Sequence, residues 1–148
     1  MRVVRRDASN SDPMANLYYS KYPGLQSKGR CGGMLNCMTV TPFEITPREV
    51  KDRLDRGERL RLIDVREPFE HQQARIGDAE LIPMRTVPQS LDSLRAEQRP
   101  IVVLCHHGMR SLQVVHWLRE QGVDNASSMS GGIDQWSRDV DPSVGRYF

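Results

Sequence analysis

From Thr46 onward, apolar and polar residues fall into blocks whose period names the secondary structure. Thr46-Pro47-Arg48-Glu49 places a hydroxyl at an N-cap, proline at the first helical position and a carboxylate three residues after the cap. This capping box opens a helix through Leu54 that stops at Gly57. RLRLIDV at 59–65 ends in an apolar run and predicts a strand, PFEHQQA at 68–74 a short helix led by Pro68, and ELIP at 80–83 a short strand. TVPQSLDSL at 86–94 suggests another helix. After Pro100 comes IVVLC, an unbroken apolar run of the kind a central parallel strand, buried on both faces, requires. Between Ser111 and Gln121, Val114, Val115 and Leu118 lie three, four and seven positions beyond Ser111, and Gly122 ends an amphipathic helix. NASSMS at 125–130 is a weaker strand, and GGIDQW at 131–136 leads into a last short helix.

Strands alternating with helices predict an α/β fold, a parallel sheet flanked by helices on both faces. In such sheets ligands sit beyond the carboxyl ends of the strands, and Cys105 stands at one of those ends. The 148 residues suit one domain, 39–148. Residues 1–38, rich in Ser, Asn, Gly and Pro without a sustained period, read as a disordered extension, and Met38 is a candidate natural translation start.

Composition narrows the function classes. No stretch approaches the roughly 20 consecutive apolar residues of a membrane helix, so no membrane span is expected. The net charge of +2 lies partly in the N-terminal arm rather than in a basic stripe interleaved with aromatics, which argues against nucleic-acid binding. Three cysteines make no disulfide framework, and a lone Cys105 in the folded part points to a reducing compartment, the cytoplasm. Cys31 and Cys37 in the arm have no further metal ligands beside them and read as incidental.

The chemistry concentrates in CHHGMRS, residues 105–111. A strand end, a short turn and a helix starting near Arg110 or Ser111 make an anion cradle from backbone N–H groups. Gly108 allows a positive φ, and the helix dipole adds positive potential. Arg110, and His106 or His107 when protonated, would add side-chain charge. The same surroundings favour a thiolate, the nucleophilic form of Cys105. A cysteine at the end of an apolar strand is often only a small buried hydrophobe, but an inert one has no use for the polar loop that follows. Adjacent histidines and one cysteine supply too few ligands for zinc, and no metal or cofactor is expected.

In ordered landmarks, LIDVREPFE (62–70), ARIGDAELIP (74–83), VVLCHHGMRS (102–111) and SGGIDQW (130–136), the sequence resembles the rhodanese-like sulfurtransferase family. The resemblance implies a rhodanese-like parallel sheet in which Cys105 accepts a sulfane sulfur from a small-molecule donor, holds it as a persulfide and passes it to a thiol or protein acceptor. His106, His107, Gly108, Met109 and Arg110 would then bind substrate. Asp64 and Arg66, matching the family's Asp-Val-Arg, either brace the loop or form an ordinary strand-end ion pair, and Ser111 supports the cradle. Where the family usually has Gly-His-Ile this chain has Ala74-Arg75-Ile76, which keeps a cation. The spacing from Cys105 to Arg110 is C-x4-R, one residue tighter than the C-x5-R of related phosphatases. That favours a single sulfur atom over a tetrahedral oxyanion. A cysteine-dependent phosphatase or arsenate reductase, and a non-catalytic interaction module that leaves Cys105 unused, are the alternatives. Trp136 and Trp117 read as packing residues.

Overall fold

The computed structural model describes residues 41–147. The expected disordered extension, the Met38 start, Cys31 and Cys37 lie outside the described residues. Eleven elements follow one another within this range: β1 (Glu44–Ile45), α1 (Pro47–Asp55), β2 (Arg61–Asp64), α2 (Pro68–Gln73), β3 (Glu80–Leu81), a 3-10 helix (Met84–Ser90), α3 (Leu91–Arg95), β4 (Ile101–Leu104), α4 (Met109–Glu120), β5 (Ala126–Met129) and α5 (Gly132–Asp139). The five strands form one sheet in the order β1-β5-β4-β2-β3, and every pairing is parallel.

β4 is central, and its pleat explains the apolar run. Ile101 and Val103, with Cys105 just beyond, point into one core beside Val114, Val115 and Leu118 of α4. Val102 and Leu104 point into the other, with Ile45, Val50, Ile133 and Trp136. All four strand residues are at most 1% exposed, and each such aliphatic side chain contributes about 1.5–3 kcal/mol of hydrophobic free energy, an upper figure because the unfolded chain already hides some surface. A polar residue at any of the four would face a core, which is why the sequence shows no alternation there.

The capping box forms as read: Thr46 Oγ1 accepts from Glu49 N–H at 3.2 Å while Thr46 N–H donates to Glu49 Oε2 at 2.8 Å. Two expectations shift, and one element appears that was not expected. The helix expected at 86–94 is a 3-10 turn containing Pro88, with regular α geometry only from Leu91, because proline cannot donate an i→i−4 bond. α4 starts at Met109 rather than Arg110 or Ser111, since Gly108 at φ 97° caps it through the backbone alone. β1, two residues long, carried too little alternation to be read and exists because it pairs with β5.

Candidate active site

Cys105 lies immediately beyond β4, fully buried. Gly108 N–H donates to Cys105 Sγ at 3.1 Å and Ser111 N–H at 3.4 Å, both from the start of α4. Ser111 Oγ stands 3.5 Å from the sulfur, donates to Gly108 O at 3.1 Å and meets Ser128 Oγ of β5 at 2.8 Å. The sulfur therefore rests in a nest of donors at a helix N-terminus, where an anion is stabilised. Serine at position 111 brings one small, buried hydroxyl within reach of all three neighbours.

A second helix start holds the loop from outside. Ile133 N–H of α5 donates to Cys105 O at 2.8 Å and Asp134 N–H to His106 O at 3.1 Å. This approach demands glycine: at Gly132, φ 58°, a Cβ would lie 2.3 Å from Cys105 O and 2.4 Å from His106 O. The same crowding acts at Gly108, where a Cβ would lie 3.0 Å from Gly131 N.

Around the loop runs an ion-pair network. Arg110 Nη1 and Nη2 donate to Glu70 Oε2 and Oε1 at 2.8 and 2.7 Å, a bidentate pair of high geometric specificity. The Arg110 guanidinium lowers the Glu70 carboxyl to about 2 and is itself held above its ordinary range by Glu70. Glu70 Oε1 also accepts from Tyr147 Oη at 3.0 Å. Arg66, wholly buried, donates through Nε to Asp64 Oδ1 at 2.9 Å, through Nη1 to Glu70 O at 3.2 Å and Tyr147 Oη at 2.8 Å, and through Nη2 to Ala74 O at 2.6 Å. Asp64 Oδ2 also meets His71 Nδ1 at 2.9 Å.

The Tyr147 ring stacks on His106, centroids 4.3 Å apart, and His106 stacks on His107 at 3.9 Å. Burial, helped by the charge of His107, lowers the His106 imidazolium below its usual range. Burial thus disfavours the protonated His106 that would add charge to the cradle. His106, His107 and Asp134 bring ligand atoms within 4.8 Å of one another, but the two Asp134 oxygens are engaged by Arg146 and Arg138 at 2.8 and 3.0 Å.

A family model described as the rhodanese-like domain matches residues 46–139. The chain belongs to the rhodanese-like domain family. This rhodanese-like domain is 34% identical over 101 residues to a protein named sulfurtransferase from Allochromatium vinosum, a match covering 68% of this chain and 94% of that one. It is 36% identical over 104 residues to the probable adenylyltransferase/sulfurtransferase MoeZ of Mycobacterium tuberculosis, covering 70% of this chain but only 26% of that longer protein. Among solved structures, a rhodanese-like domain protein from Staphylococcus aureus superposes with a TM-score of 0.60 at 31% identity, covering 71% of this chain and 98% of that one.

In this rhodanese-like domain the residues singled out from sequence fall into three places. Cys105, Gly108 and Ser111 make the floor. His106, His107, Met109 and Arg110 form the rim, with Met109 69% exposed. Asp64 and Arg66 pair with each other, and among the described hydrogen bonds they are linked to the rim through Glu70 and Tyr147. Arg110 pairs with Glu70 and makes no hydrogen bond to Sγ among the described ones, while its charge and that of Cys105 still act on each other through space. Glu70 and Tyr147 were not foreseen. They lie 40 and 37 positions from Arg110 in sequence, and only the helix start after β2 hinted that a carboxylate stood near a strand end. Trp136 and Trp117 pack against the two cores as expected.

Proposed function

We propose that this domain, residues 39–148, is a sulfurtransferase in which Cys105 takes a sulfane sulfur from a thiosulfate- or persulfide-type donor, carries it as a persulfide and delivers it to a thiol or protein acceptor. The observation that carries the reading is the pair of backbone N–H groups of Gly108 and Ser111 directed at Cys105 Sγ from a helix N-terminus. In the first half-reaction the thiolate attacks the outer sulfur of the donor. The new S–S bond forms as the donor's own bond to that sulfur breaks, its electron pair leaving with sulfite or a thiolate. In the second, an acceptor nucleophile attacks the outer sulfur of the persulfide and Cys105 departs as thiolate. The first half begins and the second ends with a thiolate at Sγ, and between them the persulfide carries its charge on the adjacent outer sulfur; N–H donors and the α4 dipole stabilise an anion at this place.

The rim residues His106, His107, Met109 and Arg110 face the donor in this reading, while Asp64, Arg66 and Ser111 hold the geometry. Neither a metal nor an organic cofactor takes part, and the reducing cytoplasm is the compartment that keeps Cys105 free between turnovers. No helix among the described residues is long and apolar enough to cross a membrane, and neither a membrane nor nucleic acid is a partner. The test is intact-protein mass spectrometry after incubation with donor, comparing wild type with Cys105→Ser, then discharge with cyanide. One added sulfur atom on wild type alone, removed by cyanide, is the expected result. A Cys105 that alkylates readily yet gains no sulfur from any sulfane donor would overturn the reading.

A further inference from the structure

Most of the charged groups around Cys105 already have an opposite partner before a substrate arrives. Arg110 gives both Nη groups to the two oxygens of Glu70, and Glu70 stays ionised throughout the working pH range. Arg66 is fully buried and turns every nitrogen to Asp64, Ala74, Glu70 or Tyr147. His106 is stacked between Tyr147 and His107, and burial disfavours its charged form. Arg138 and Arg146 converge on Asp134, with side chains 55% and 43% exposed, and water screens them. His107 is exposed as well. The buried floor thus meets a ligand with neutral N–H dipoles from Gly108 and Ser111 and the partial charge of one helix end. That offsets about half of the single charge of the thiolate or the persulfide it must hold.

We propose that the donor admitted to Cys105 carries at most one negative charge on its sulfane-sulfur group, an organic thiosulfonate or organic persulfide, and that dianionic inorganic thiosulfate is disfavoured. The inference rests on the sulfurtransferase reading. The cost of removing an ion from water grows with the square of its charge, so a second charge needs a compensating cation, and Glu70 has already taken the one at the rim. For the simplest thiosulfonate the step balances without a co-reactant: Cys–S⁻ + CH3SO2S⁻ → Cys–S–S⁻ + CH3SO2⁻. The Sγ–S bond forms, the S–S bond of the donor breaks, and the electron pair leaves on the sulfinate.

Methanethiosulfonate replaces one oxyanion of thiosulfate with a methyl group, so the two differ chiefly in charge. The experiment measures Cys105 loading in the full-length protein by quenched-flow mass spectrometry, each rate divided by that of the same donor with free cysteine. A third arm with N-acetylcysteamine persulfide distinguishes the two organic classes by relative rate. The expected normalised preference for methanethiosulfonate over thiosulfate is at least about tenfold, the scale of one unbalanced charge at partly buried contact distance. Glu70→Gln frees Arg110 to receive the second charge and lowers that preference at least about fivefold. Because the preference is a ratio within one sample, it does not depend on how much of the variant is folded, and the wild-type ratio decides alone if the variant cannot be prepared. Thiosulfate loading as fast as either organic donor, or a preference unchanged in folded Glu70→Gln, overturns the charge inference and leaves the sulfurtransferase reading standing. If no donor loads a Cys105 that iodoacetamide alkylates, both fall.

Discussion

Replacing Gly132 by alanine tests whether α5 builds the Cys105 loop by close approach. An added Cβ would lie 2.3 Å from Cys105 O and 2.4 Å from His106 O, against a normal C···O approach of about 3.3 Å. Either α5 or the loop must withdraw by about 1 Å. The bonds from Ile133 N–H and Asp134 N–H, at 2.8 and 3.1 Å, then stretch to about 4 Å, beyond hydrogen-bonding range. Losing the two costs about 2 kcal/mol, and a left-handed alanine adds about 1–2 kcal/mol. Gly57 is the internal control: its φ is +80° but no atom lies within 4 Å of its Cβ position, so Gly57→Ala bears the backbone term alone. Gly132→Ala should therefore melt roughly 10 °C below Gly57→Ala, and Cys105 in the folded variant should show an altered alkylation rate. Thermal unfolding by circular dichroism, with alkylation followed by mass spectrometry, reads both. Equal melting temperatures and an alkylation rate unchanged from wild type would refute the argument that backbone contact, and not side-chain packing, positions the loop.

Other substitutions probe the surrounding network. The Glu70 carboxyl sits at about 2 against an unfolded value of 4.5, so its contribution is complete above pH 4.5 and is lost as pH falls from there towards 2. Urea titrations across that window should show wild type losing up to about 2 kcal/mol more than Glu70→Gln, after discounting for solvent beside Arg110; parallel curves would contradict the pairing. Tyr147→Phe keeps the ring on His106 but orphans a buried Arg66 N–H, costing about 1–2 kcal/mol in chemical denaturation, and Tyr147→Ala should cost about 1 kcal/mol more through the lost stacking. Ser111→Ala removes the hydroxyl beside Sγ and the partner of Ser128 Oγ; because the one proton of that hydroxyl goes to Gly108 O, Cys105 alkylation at pH 7 should change less than about twofold, while the orphaned Ser128 hydroxyl costs about 1 kcal/mol in chemical denaturation.

Local features of this fold were legible and distant pairings were not. The Thr46–Glu49 box is decided by four adjacent residues, and β4 by a run whose two pleat faces each need an apolar partner. The start of α4 was displaced because Gly108 caps it through a left-handed backbone with no side-chain oxygen to announce it. Pro88 hid a 3-10 turn inside an apparently helical pattern. Glu70 and Tyr147 escaped for another reason: a carboxylate on the first turn of a surface helix and an aromatic near the chain end are ordinary in sequence. Only the crossover from β2 to β4 and the return of residues 144–147 to the sheet bring them to Arg110 and Arg66. The pairing of Arg110 with Glu70 was illegible on the same ground, because nothing local shows whether an arginine already has a partner.

The two helix starts that meet at Cys105 do different work. A trans peptide points its C=O and N–H in opposite directions. When α5 captures the carbonyls of Cys105 and His106, it turns the amides of His106 and His107 away from itself and fixes the first half of the loop. The positive end of α5 is consumed by those two carbonyls and adds little field at the sulfur. The positive end of α4 is not consumed: Gly108 N–H and Ser111 N–H terminate on Sγ. One helix thus shapes the cradle and the other polarises it. A single macrodipole, worth about half a unit charge, thus faces Sγ together with two amides, while the Arg110 guanidinium at the rim stands paired with Glu70.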